Sequence, residues 1–373
     1  MTDTISTLPV PFANLHREHD SLRAELRSAM DDVLDSGWFI LGRRLEAFER
    51  AFAEYCGARF AIGVASGTDA LHLALLAAGV KPGDEVITVA NTFIATALAI
   101  SYAGATPVFV DVDAESQLID VEQIEARITE RTRAIIPVHL FGRMCDMRRL
   151  RQLAIARGLT VIEDACQAHG ARTADGMAGT IGAMGCFSFY PTKNLGAYGD
   201  AGLVTTNDTQ LAERLRSLRN YGQTQKYHHA VRGFNSRLDE IQAAVLHVKL
   251  GSLDPRNDAR RGIARRFTAG INNPFVSTPP ADAEGEHVYH LYVVRTPHRE
   301  QLRMWLSARG IETQIHYPVP IHQQEAYRDL TAGVTLPVTE QLSGEILSLP
   351  IFAEMNQDEI DWVIRCVNRF QPE

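Results

Sequence analysis

Ser188-Phe189-Tyr190-Pro191-Thr192-Lys193-Asn194-Leu195-Gly196-Ala197-Tyr198-Gly199-Asp200 is the stretch of this 373-residue chain from which a fold and a chemistry can be read. Lys193 is the only lysine between Lys81 and Lys226, so it does not belong to a charged, solvated run. An amine that follows an aromatic strand and precedes a Gly-rich turn can lie in a partly desolvated cleft. Burial there lowers its pKa and frees it to form a Schiff base, which points to pyridoxal phosphate. A lysine at a strand end is also an ordinary surface residue, and alone the run reads that way. Two upstream segments decide against that.

Ser66-Gly67-Thr68-Asp69-Ala70-Leu71 follows the apolar stretch Phe60 to Ala65 and opens an Ala- and Leu-rich segment that runs to Gly79. Strand, glycine turn and helix start in that order aim unpaired N–H groups and a positive dipole end at one point, a seat for phosphate. Ser66 and Thr68 add hydroxyls, although the same residues also make an ordinary helix cap. Thr160-Val161-Ile162-Glu163-Asp164-Ala165-Cys166-Gln167-Ala168-His169-Gly170 runs a buried strand into acidic residues at its carboxyl end, where open α/β sheets hold ligands. A carboxylate there can keep a pyridine nitrogen protonated, and Asp164 is the candidate; acidic residues at strand ends also form turns.

The three segments, in this order, resemble the fold-type I pyridoxal-phosphate enzymes, and within them the nucleotide-sugar aminotransferases of the DegT family. The resemblance covers nearly the whole chain. It extends through Pro11-Phe12-Ala13-Asn14-Leu15, Ser36-Gly37-Trp38-Phe39-Ile40-Leu41-Gly42, Gly233-Phe234-Asn235-Ser236-Arg237-Leu238-Asp239-Glu240 and His316-Tyr317-Pro318-Val319-Pro320-Ile321-His322. Seven ordered motifs are far more specific than any one of them.

The composition agrees. A chain this long, 45% apolar, exceeds what one core supports, so two domains are expected. Residues 1–255 are read as the large cofactor-binding domain and 256–373 as a small C-terminal one. A formal charge of -8 argues against a general nucleic-acid binder. Cys56, Cys145, Cys166, Cys186 and Cys366 are scattered and lack C-x-x-C spacing, which suits a reducing cytoplasm and leaves no zinc site. No basic-then-apolar leader opens the chain and no apolar run reaches the roughly 18 residues of a membrane span, so a soluble protein is expected.

Strand-like runs over Asp84 to Ala90, Thr106 to Asp113 and Arg133 to Leu140 alternate with helix-like runs over Thr92 to Ala103, Val121 to Thr129 and Met147 to Arg157. This predicts an α/β fold with a mainly parallel sheet covered by helices on both faces. Gly182 to Tyr190 and Ala201 to Thr206 read as strands flanking the lysine loop. Arg237 to Leu253 reads as an amphipathic helix, Arg256 to Ile271 as a basic one and Asn272 to Glu286 as a linker. The small α+β domain is expected from the strand His287 to Thr296, the helix Arg299 to Arg309 and the strand Ile311 to Tyr317.

What the resemblance implies is specific. Lys193 would carry the cofactor as an internal aldimine, Ser188, Gly67 and Thr68 would hold its phosphate, Asp164 would pair with the pyridine nitrogen and Gln167 would meet the ring hydroxyl. Phe93 would stack on the ring or is a core phenylalanine on a helix face. Asn235 would reach the phosphate from the partner of a homodimer. Arg237, His316 and Tyr317 would contact the sugar nucleotide, also from the partner subunit, with His322 nearby; each also has a bland reading as surface charge or loop packing. Trp38, Phe39 and Ile40 line the sugar pocket or form a buried turn.

The implied reaction is transamination, with L-glutamate as donor, at carbon 3 of a dTDP-linked 3-keto-6-deoxyhexose in deoxyamino-sugar biosynthesis. UDP-linked 3-keto sugars and carbon-4 amination are the alternatives, and a non-catalytic regulator of the same fold should have lost Lys193 or Asp164. Sugar dehydratases of this fold carry histidine at the lysine position, which this chain does not.

Overall fold

The computed structural model describes residues 8–281, 283 and 285–373. Seven strands form the main sheet: β1 (Phe60–Val64), β2 (Glu85–Val89), β3 (Thr106–Val110), β4 (Thr132–Ile135), β5 (Thr160–Asp164), β6 (Met184–Ser188) and β7 (Gly202–Thr206). Their spatial order is β1-β7-β6-β5-β4-β2-β3. β3, β2, β4, β5 and β6 pair in parallel, while β7 pairs antiparallel with both β6 and β1. The expected mainly parallel α/β sheet is present.

The burial pattern explains the topology. β2 and β7 are buried at every position instead of alternating, as strands sandwiched between two layers of helix must be. On one face the helix Gly67–Ala77, apolar on almost every side, packs with Ile62, Val86, Ile162 and Met184. On the other, Phe48, Phe52, Phe187 and Phe189 meet edge to face with centroids 5.0–5.5 Å apart for the Phe52–Phe187, Phe52–Phe189 and Phe48–Phe189 pairs. Phe187 and Phe189 alternate with Ser188, so the packing that anchors them turns the serine the other way.

Sheet direction places the chemistry. β1 and β6 both run antiparallel to β7, so they run the same way as each other and as β5 and β2. The carboxyl ends of β1, β2, β5 and β6 therefore share one edge. Ser66, Phe93, Asp164 and the lysine loop all follow or end those strands.

The C-terminal region has its own two-stranded sheet, β8 (Tyr292–Arg295) against β9 (Ile346–Leu349), packed by the helices Leu253–Gly270, Arg299–Ser307 and Gln357–Asn368. Several expected boundaries move. The helix expected over Thr92 to Ala103 starts at Ala95, which leaves Phe93 in the preceding loop. That expected over Val121 to Thr129 is one α turn, Val121–Ile124, then a 3-10 turn. The helix expected from Arg237 starts at Glu240 and gives way at Gly251 to the one from Leu253. Ile311 to Tyr317 is not a strand: it makes single bridges, Ile311 to Val10 and Gln314 to Ser348, each too short to extend into a ladder. Among the described residues, no helix is long and apolar enough to cross a membrane.

Candidate active site

Four segments converge where β1, β5 and β6 end. Ser66 caps the helix Gly67–Ala77, accepting the Asp69 N–H at 3.1 Å and donating its hydroxyl to the Asp69 carboxylate at 2.6 Å. That leaves the first-turn N–H groups of Gly67 and Thr68 without an intrahelical acceptor. Gly67 sits so close to β6 that a Cβ built on it would lie 2.6 Å from Ser188 Cβ and 3.1 Å from Cys166 Sγ. Only glycine lets this helix start touch the serine. The cradle so formed presents two N–H groups, a dipole end and the Ser188 hydroxyl, a donor set that fits a phosphate dianion.

Asp164 ends β5 and is buried. One carboxylate oxygen accepts the Thr96 hydroxyl at 2.8 Å and the other the Cys166 N–H at 3.2 Å. Its neighbour Glu163 points the opposite way along the pleat, where it accepts the N–H groups of Gly179, Ile181 and Gly182. The two acids thus divide the labour: Glu163 ties down a loop, and Asp164 faces the site.

Lys193 lies half-buried after β6, its backbone N–H bonded to the Tyr190 carbonyl at 2.8 Å. Burial holds its amine below the ordinary lysine range, while Cys166 and Asp164 pull the other way. Among the described residues the amine has no hydrogen-bond or ion-pair partner. Three imidazoles feel its charge: His169, pushed to about 3, His316, pushed to about 4, and His290, also lowered, each mainly by burial. Lys193 is therefore an unengaged amine, held below the ordinary lysine range by burial, among imidazoles that burial keeps neutral.

Gln167 accepts the Phe141 N–H at 2.7 Å and donates to the Tyr317 hydroxyl at 3.3 Å, leaving one amide hydrogen free. Phe93 is 54% exposed, so it is not a core residue, and its ring stands 5.8 Å from that of Tyr317. His316 stacks on Phe12 at 5.8 Å and bonds Ser348 Oγ at 2.9 Å. The expectation that the partner subunit supplies His316 and Tyr317 is corrected. Both stand in the pocket of their own chain's Lys193, because β9 carries Ser348 and fixes the segment there.

Asn235 and Arg237 are not drawn into this group. Asn235 is exposed and bridges Asn220, and Arg237 bonds Asn220 Oδ1 at 3.2 Å while lying over the Tyr221 ring. The structure brings His322 to Glu340 instead, at 3.0 Å, on a 3-10 turn tied by Ile321 to Ala90. Trp38, 62% exposed, is not in a buried turn.

Residues 20–368 match the DegT/DnrJ/EryC1/StrS aminotransferase family. The chain belongs to this family. It is 48% identical over 361 residues, 97% of this chain and 99% of the relative, to a dTDP-3-amino-3,6-dideoxy-alpha-D-galactopyranose transaminase of Aneurinibacillus thermoaerophilus. The crystal structure of S. venezuelae DesV in complex with a ketimine intermediate superposes with a TM-score of 0.94 at 47% identity, covering 97% of this chain and 98% of DesV. NtdA from Bacillus subtilis, solved with bound cofactor PMP, matches at a TM-score of 0.91 and 32% identity, covering 96% of this chain and 84% of NtdA.

Sequence reading of this aminotransferase missed Thr96, which orients Asp164, and the pair Asn194 and His290 beside the lysine. Asn194 was within the motif that holds Lys193, and its position directly after the lysine was the available signal. His290 lies almost a hundred residues on, in a stretch read only as a strand start, and carried none.

Proposed function

We propose that this aminotransferase moves an amino group from L-glutamate to carbon 3 of a dTDP-linked 3-keto-6-deoxyhexose, using pyridoxal phosphate. The observation that carries the reading is an unpartnered Lys193 beside Asp164, its pKa lowered by burial, in a chain aligned over 97% of its length with a dTDP-3-amino-sugar transaminase.

The Gly67 and Thr68 N–H groups and the Ser188 hydroxyl hold the phosphate. Phe93 would pack against the cofactor ring and Gln167 would offer its free amide hydrogen to the ring hydroxyl. Pyridoxal phosphate supplies, when bound, a carbonyl that condenses with amines and a ring that accepts an electron pair. Asp164, aimed by Thr96, keeps the pyridine nitrogen protonated and so makes that ring a better sink. Lys193 would hold the cofactor through its amine and would serve as the base that moves a proton at the reacting carbon. His316 and Tyr317 line the approach from their own chain and contact the sugar nucleotide, and His322 supports that wall.

Asn235 and Arg237 complete the neighbouring pocket across a homodimer, where Arg237 offers its planar fork to the nucleotide diphosphate. Exposed aromatic side chains around them, Tyr221, Tyr227 and Phe234, support an interface on this face. The division into residues 1–255 and 256–373 is proposed with it, supported by the separate apolar cluster of Phe267, Tyr292, Leu302 and Val363. A cytoplasmic setting follows from the substrates.

The reading is tested with glutamate and a panel of dTDP- and UDP-linked 3-keto and 4-keto sugars, products being identified by mass and NMR. The dTDP-3-keto sugar is expected to yield a 3-amino sugar with the highest kcat/KM; preferential amination at carbon 4 would overturn it. Asp164→Asn keeps the shape but removes the charge. It is expected to lower kcat by about 10²-fold or more with modest change in cofactor affinity, measured by steady-state rates and cofactor titration.

A further inference from the structure

Lys193 is followed by a buried asparagine whose amide can face only one way. Asn194 Nδ2 lies 3.0 Å from the Val288 carbonyl oxygen and 2.8 Å from Asn257 Oδ1. A carbonyl only accepts, so the group facing Val288 must be the NH2. Asn257 is oriented the same way by the His169 carbonyl, 2.8 Å from its Nδ2. Asn194 Oδ1 is therefore the atom 3.2 Å from His290 Nδ1.

An amide oxygen cannot donate, so the proton of this pair sits on His290 Nδ1. Burial and the charges of Lys193 and Arg260, with His316 and His169 beside them, keep the ring neutral. Nε2 is then left with a lone pair, and among the described residues nothing donates to it. Two backbone carbonyls thus set, through two asparagines, the tautomer of a histidine next to the lysine.

We propose that His290 is a positioning residue for Lys193: its Nε2 lone pair accepts a hydrogen bond from the amine whenever substrate has displaced it. The inference rests on Lys193 being the residue that carries the cofactor. A displaced lysine on a four-carbon stem would otherwise sample many rotamers. An acceptor at a fixed point keeps the amine near the carbon whose proton it moves, and misplacement by about 1 Å can cost 10²-fold.

The holoenzyme tests this in two ways. Histidine-selective ¹⁵N NMR, assigned with His290→Gln, should show His290 protonated at Nδ1 and bare at Nε2; the opposite tautomer would overturn the proposal. In single turnovers with glutamate, His290→Phe should be about 10- to 100-fold slower, with glutamate KM within about threefold and a larger isotope effect from [2-²H]glutamate. His290→Gln, which can offer an acceptor oxygen, should recover most of the rate. A yellow, folded His290→Phe protein with wild-type rate and isotope effect would rule the role out. Should that variant lose the cofactor, the wild-type tautomer still decides. A wild-type protein with no yellow band would instead refute the reading of Lys193 itself.

Discussion

Purified Lys193→Ala protein is expected to be colourless and to transfer amino groups about 10⁴-fold or more slowly than the wild type, because one substitution removes both the covalent attachment and the mobile base. The geometry makes this a clean substitution. The wild-type amine has no partner among the described residues, so its loss orphans no donor or acceptor. The Lys193 backbone, bonded to Tyr190, is untouched, and the loop remains tied through the Lys249 ammonium, 2.8 Å from the Gly196 carbonyl. Thermal unfolding should therefore change little while absorbance above 400 nm and turnover vanish together. The assignment fails if the variant still forms a borohydride-reducible bond between chain and cofactor, which would put the reactive amine elsewhere. Lys249, the other buried lysine, is the natural suspect in that event, but it is already engaged with Glu18 at 3.1 Å.

The parts of this site that could be read from sequence are those where chemistry coincides with a chain-local pattern. Ser66-Gly67-Thr68, Asp164 and Lys193 each stand where a strand ends, and parallel strands bring their ends together by topology alone. Met147–Arg157 was legible for the same local reason, with Asp146 capping one end and Gly158 in the left-handed region closing the other. Ile311 to Tyr317 misled because an extended segment alternates its side chains whether or not it has a partner strand to bond. Side-chain amide chains are the opposite case. Asn194, Asn257 and His290 meet through contacts that no periodicity encodes. Which subunit supplies a residue is equally invisible: His316 and Tyr317 sit in one motif whose pattern is the same in either arrangement. Ser348, on the strand beside them, is what settles it.

Arg237 presents the question that remains of the dimer, and mixing two inactive proteins answers it. Lys193→Ala and Arg237→Ala homodimers are each expected to be nearly inactive, the first at the reacting carbon and the second at the nucleotide. With equal amounts under subunit exchange, about half the dimers are mixed. If Arg237 serves the neighbouring pocket, a mixed dimer carries both lesions in one site and leaves its other site whole. Activity should then recover to about one quarter of wild type. The motive is electrostatic as well as geometric: a chain of formal charge -8 must gather donors from several segments to hold a diphosphate, and a two-fold interface can do so. A control pair follows from the corrected placement of Tyr317. Lys193→Ala mixed with Tyr317→Phe should not recover, because both lesions act on their own chain's pocket. Every site of that mixed dimer then carries one lesion, so activity should not exceed the parents'. A mixture of Lys193→Ala and Arg237→Ala that stays as inactive as this control, with exchange confirmed by mass, would put Arg237 in its own chain's site and end the shared-pocket model.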